Sequence, residues 1–132
     1  MHALKICLWV TGILCLTAAA GVFLPLSACE SIARFFGVET LPNSPLIMYV
    51  IRTGSATYIG VGVFFVILAT EPMKYGVLVP FSGLAAVFTG VVCAITGLTA
   101  GMPFLWFLGD SLSCTILGIL VLVFWRQAKR AS

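Results

Sequence analysis

Apolar residues fill four long runs of this chain, about Leu4 to Leu24, Leu46 to Thr70, Gly76 to Gly97 and Pro103 to Trp125, and polar residues collect between them and at the two ends. A helix that crosses a bilayer needs ~20 mostly apolar residues, and each run meets that length. The runs are apolar on all sides, whereas strands of a membrane barrel would alternate in and out over ~10 residues. Helices are therefore predicted, each satisfying its own backbone inside hydrocarbon. The expected fold is all-α: a polytopic membrane protein whose residues 1–132 form one integral membrane domain, a four-transmembrane-helix bundle.

The stretch from Pro25 to Pro45, PLSACESIARFFGVETLPNSP, is the one connection longer than a turn. At helical spacing Ile32, Phe35 and Phe36 fall together, and Glu30 and Arg34 stand four apart on another side, so a short amphipathic helix in this first loop is expected. Gly37 is its natural end. Leu41-Pro42-Asn43-Ser44-Pro45 reads as a stop followed by an N-terminal cap at Ser44, with proline at the first helical position of the second span. Such a helix lies flat among headgroups or serves as a lid, with Glu30, Arg34 and Glu39 as the rim of a cavity beneath it.

Composition sharpens the class. With 61% hydrophobic and 8% charged residues and a mean hydropathy of +1.19, the apolar surface exceeds what a water-soluble core hides. Lys5, Lys74, Arg126, Lys129 and Arg130 fall on one side of the bilayer and Arg34 on the other. By the positive-inside rule both termini are cytoplasmic and the first loop is outside, in a bacterial inner membrane. Trp9, Tyr75 and Trp125 then mark the inner interface, and Tyr49 and Trp106 the outer. Leu26-Ser27-Ala28-Cys29 matches a bacterial lipoprotein cleavage box. The apolar run before it is longer than the 7–15 residues of a signal peptide, so a retained span is expected.

Two charges fall within spans, Arg52 in the second and Asp110 in the fourth. Arg52, Ala56 and Gly60 share one helical face, as do Asp110, Cys114 and Gly118, which places each charge above a stripe of small side chains where another helix can come near. At ~1.5 Å per residue both lie ~10 Å below the outer ends of their helices. Charge in hydrocarbon is costly unless paired or hydrated, so an Arg52–Asp110 pair is expected, either as a staple fixing helix register or as the lining of a polar pocket that opens outward.

The third span carries Ser82, Ala86, Gly90 and Ala94 at every fourth position, a small-residue seam for close packing. Pro80 is expected to bend its inner end, and Glu71-Pro72 marks the short turn before it. The usual chemistry lacks its parts. Cys7, Cys15, Cys29, Cys93 and Cys114 contain no C-x-x-C pair, and four of them sit inside spans as small apolar packers. His2 is the one histidine, so neither a zinc set nor histidine acid–base catalysis is expected. Phosphate loops, nucleophile elbows and basic nucleic-acid faces are missing too. The expectation is no cofactor, no metal and no nucleic-acid partner.

Four spans, Arg52 followed by Gly54, Gly60 and Gly62 early in the second, and Asp110 early in the fourth together resemble the DoxX-like and related small four-helix bacterial membrane proteins of unknown function. That resemblance implies a four-helix bundle and carries over no reaction. The function expected is a non-catalytic protein that binds lipid or a small apolar molecule, or an accessory subunit of a larger membrane complex, with membrane lipids and further protein copies as partners. An oligomeric transporter or channel is the alternative. An intramembrane enzyme on a lipid-like substrate, with Asp110, Glu30 and Glu39 as its available acids, ranks below both.

Overall fold

A computed structural model describes residues 1–132 with the exception of Leu41 and Asn43. The stop expected at those two positions lies outside the described residues. Five helices follow in order: α1 His2–Phe23, interrupted by a single 3₁₀ turn at Thr17–Ala19; α2 Leu26–Phe35; α3 Pro45–Thr70; α4 Leu78–Thr99; and α5 Phe104–Ala131. No strand occurs among the described residues. α1, α3, α4 and α5 are long and apolar enough to cross a membrane, and 17–22% of each one's most apolar window is buried inside the chain. The remainder is hydrocarbon surface with residues such as Phe23, Phe88 and Leu98 standing bare, which fits lipid as solvent and marks an integral membrane protein.

Local chemistry fixes the helix ends. Ser44 Oγ accepts the Ile47 N–H at 3.3 Å and Pro45 takes the first helical position of α3, where its missing N–H leaves nothing unpaired. α2 and α4 stop in the same manner. Gly37, at φ +89, lets Val38 N–H reach back to Ala33 O and Gly37 N–H to Arg34 O; Gly101, at φ +65, does the same with Met102 to Gly97 and Gly101 to Leu98. Both are Schellman closures, which need a residue at ease in the left-handed region.

Two boundaries differ from expectation. α4 starts at Leu78 after a turn that ends on Gly76, and Pro80 therefore sits in its first turn, where an absent N–H interrupts no helical bond. α5 continues through Arg126–Ala131, residues that favour helix once the chain has left the hydrocarbon.

The spans associate as two pairs. α1 packs on α3 and α4 on α5; α1 also touches α5, joining the pairs, while α3 packs side by side with neither α4 nor α5. Each pair crosses glycine on glycine. A Cβ on Gly12 would lie 3.0 Å from Gly62 O and one on Gly62 2.9 Å from Gly12 O; Gly83 and Gly118 repeat this at 3.0 and 2.7 Å. Backbones at that separation gain dispersion contact that larger residues would prevent. Along α4 the contact repeats at Gly83, Gly90 and Gly97, facing Gly118, Ser111 and Phe107 in turn. A seven-residue repeat is the signature of left-handed helix packing.

Ser111 Oγ donates to Gly90 O at 2.8 Å across this interface. Ser111→Ala is expected to cost ~0.5–1 kcal/mol, because interhelical hydrogen bonds in membranes are worth little more. Unfolding in mixed detergent micelles measures it.

Candidate functional site

The two ends of the bundle differ. At the end that carries both termini, Leu4, Cys7 and Leu8 of α1, Phe65, Leu68 and Ala69 of α3, Val79 of α4, and Val121 and Ala128 of α5 form one buried cluster. Cys7 Sγ lies 4.0 Å from Leu117 O within the α1–α5 contact. At the opposite, loop end, Ala33 and Phe107 are the buried hydrophobic residues among those described, and Phe107 packs against Gly97 inside its own pair. Few buried apolar residues therefore join the pairs in that half.

Several polar groups lie along the helices between the buried cluster and the loop end. Tyr58 of α3 lies within electrostatic reach of Asp110 and Cys114 of α5, Cys93 of α4 and Cys15 of α1. Asp110 and Tyr58 are exposed, and the cysteines are half-buried. Asp110 stands six residues into α5, ~9 Å along it, and Tyr58 thirteen residues into α3, ~20 Å along it. Every cysteine is a free thiol. Among the described residues no three His, Cys, Asp or Glu side chains gather as metal ligands.

Why these side chains converge follows from helix geometry. On α3, Ser55, Gly62 and Val66 face α1, and Phe65, Leu68 and Ala69 enter the core. Tyr58 lies seven residues before Phe65, two turns along the same side. On α5 the buried Val121 and Ala128 continue the line that starts at Asp110, eleven and eighteen residues on, close to whole numbers of turns.

The expected Arg52–Asp110 ion pair is not formed. Among the described residues the ion pair is Lys74–Glu71, at 3.2 Å in the turn between α3 and α4. Arg52 is turned about 120° around α3 from Tyr58 and is exposed, as are Ala56 and Gly60 on its face. Among the described residues no atom of another helix lies within 4 Å of a Cβ built on Gly60, so the stripe is open at that position. Equal depth brought the two charges to one level but not to one side. The other small residues lie where helices meet: Ser82, Gly90 and Gly118 are buried, and Ala86, Ala94 and Cys114 half-buried.

α2 sits beside the start of α5. Phe36 meets Trp106 edge to face with centroids 5.6 Å apart, and Phe35 meets Phe36 at 5.3 Å. Gly37 approaches Pro103, 3.6 Å from a built Cβ to the ring. Trp106 is one turn before Asp110, so the α2 end rests on the helix that carries the acid. Glu30 is half-buried, and Arg34 and Glu39 are exposed. Leu26–Cys29, the residues of the cleavage-box match, form the first turn of α2.

Tyr58, Cys15 and Cys93 enter this site without having been marked by the sequence reading. The signal for Tyr58 was its seven-residue step to Phe65. The cysteines carried none beyond their position inside spans. No family model matches the chain, and no curated protein or solved structure does either.

Proposed function

We propose that this protein is a non-catalytic membrane-embedded binder of a lipid or small apolar molecule, acting alone or as an accessory subunit of a membrane complex, and that the cleft around Asp110 and Tyr58 receives the ligand. The observation that carries this reading is the contrast between a sealed half and an open half. An apolar cavity with a few polar groups is the common form of a small-molecule site, and the Asp110 carboxyl nearer the loop end with the Tyr58 phenol deeper would orient a ligand bearing a hydroxyl or amide. An acid within a span is a functional candidate by default.

In this reading both termini are cytoplasmic in a bacterial inner membrane, as the Lys/Arg bias argues, and the cleft faces outward. α2 lies among the outer headgroups as an amphipathic lid, with Glu30, Arg34 and Glu39 toward water. Arg52 extends its guanidinium along the outer surface of α3 to the headgroups, as long cationic side chains near helix ends do. The resemblance to DoxX-like proteins agrees with such a bundle. Against a transport path stands the apolar cluster from Leu4 to Ala128, which closes the terminal half of the bundle among the described residues.

Native mass spectrometry of protein released gently from its membrane tests this. A small-molecule adduct is expected on the wild type, lost in Asp110→Ala and weakened in Tyr58→Phe, with both variants still folded. Bare wild-type protein throughout, or an adduct indifferent to Asp110, would refute the cleft as its site.

A further inference from the structure

A cavity lies at the end of the molecule that carries both termini. A groove of about 610 Å³ runs between the start of α4 and the end of α5, lined by Pro80, Leu122, Trp125, Arg126, Lys129 and Arg130. A hollow of about 340 Å³ shares Pro80, Trp125 and Lys129 with it and reaches toward Met73 and Val77. We propose that this groove is a binding site for one anionic phospholipid, its phosphate held by Arg126, Lys129 and Arg130 and its upper acyl chain laid along Pro80, Leu122 and Trp125.

Charge is the first argument. Arg126 and Arg130 are four residues apart and Lys129 lies between them, so three cations share one side of the last turns of α5. Like charges at that spacing repel. Among the described residues none of the three has a carboxylate within 4 Å, and Glu71, the acid of the neighbouring turn, is already paired with Lys74. An anion from outside the chain removes the repulsion.

The floor is the second argument. Pro80 offers no N–H, and Leu122 and Trp125 present mainly apolar surface, so the floor has the Trp125 indole N–H as its one side-chain donor and no side-chain acceptor, too little for the paired hydrogen bonds a sugar or peptide would require. Cations above an apolar trough suit a molecule that is anionic at one end and aliphatic below it. Basic pockets between membrane helices hold anionic headgroups in this manner, and tryptophan favours the same interfacial depth. The site is separate from the cleft at Asp110, and either stands without the other.

The test is native mass spectrometry of the delipidated full chain titrated with phosphatidylglycerol or phosphatidylcholine. The wild type is expected to hold one phosphatidylglycerol at concentrations where phosphatidylcholine is lost. K129Q/R130Q should weaken phosphatidylglycerol at least about tenfold, since each cation near a headgroup contributes about fivefold. K74Q, which removes a cation at the same end but outside the groove, should bind as the wild type does. P80W fills the groove without altering charge and should also weaken phosphatidylglycerol. Equal retention of both lipids, an equal loss in K74Q, or unaltered binding in P80W would overturn the proposal. So would displacement of the lipid by millimolar inorganic phosphate, which would make the ligand a free anion.

Discussion

Gly90→Leu is expected to unfold the α4–α5 pair, the most extensive helix contact in the protein. A Cβ on Gly90 would lie 2.8 Å from Ser111 O and 2.9 Å from Thr115 N, with Thr115 Oγ1 closer still. Two of those atoms are backbone of the facing helix and cannot rotate away. Relief requires α5 to move outward, and the same movement opens the Gly83–Gly118 crossing on one side and the Gly97–Phe107 contact on the other. Overpacking of a closed interface costs ~1–3 kcal/mol where one side chain adjusts, and here three contacts open together, so the loss should reach the upper end of that range or exceed it. Gly60→Leu is the control, because nothing lies within 4 Å of the Cβ position there. Leu120→Val, at a position open to hydrocarbon, should be nearly silent as well. Mixed-micelle unfolding of the three variants gives the comparison. A loss at Gly60 equal to that at Gly90 would show that the Gly60 face is covered by a helix of another chain.

The spans were legible because lipid imposes a length. About twenty apolar residues are required, little else satisfies a backbone in hydrocarbon, and the four runs lie within a few residues of the helices formed. The ends were less legible for a physical reason. Hydropathy marks where the chain leaves lipid, while backbone hydrogen bonding decides where the helix stops. α5 therefore runs past Trp125 through Ala131, and Pro80, read as interior, is tolerated in a first turn.

Facing directions were less legible still. In water the core side of a helix is its apolar side, but lipid tails are as apolar as leucine, so the pattern shows which residues share a face without showing what that face meets. The stripes Ser82-Ala86-Gly90-Ala94 and Arg52-Ala56-Gly60 looked alike in the sequence. The first lies where α4 meets α5, and the second is bare. What distinguishes them is the seven-residue glycine repeat at Gly83, Gly90 and Gly97, each matched by a close backbone or ring on α5. Arg52 has no such repeat beside it. The candidate site was readable in part: Asp110 stood out as an acid in a span, whereas Tyr58 was concealed among the apolar residues of a helix whose orientation nothing in the sequence fixed.

The charge swap Arg52→Asp with Asp110→Arg is accordingly expected to rescue nothing. Were the two groups a buried pair, each single reversal would be strongly destabilising and the double variant would recover most of the loss. With Arg52 and Asp110 both exposed and no ion pair between them, their environments are separate. Arg52→Asp should cost little in folding, because the side chain leaves no partner behind. Asp110→Arg places a long cation between the helix pairs ~9 Å from the helix start, and charge at such depths costs up to ~3 kcal/mol unless it reaches water. The double variant should equal the sum of the singles within about 0.5 kcal/mol, as sites without shared partners do. A coupling of 2 kcal/mol or more in the double-mutant cycle would restore the ion pair as the element that joins α3 to α5. Additive losses, with ligand retention abolished by Asp110→Arg and unaffected by Arg52→Asp, would leave the acid to the cleft and the arginine to the membrane surface.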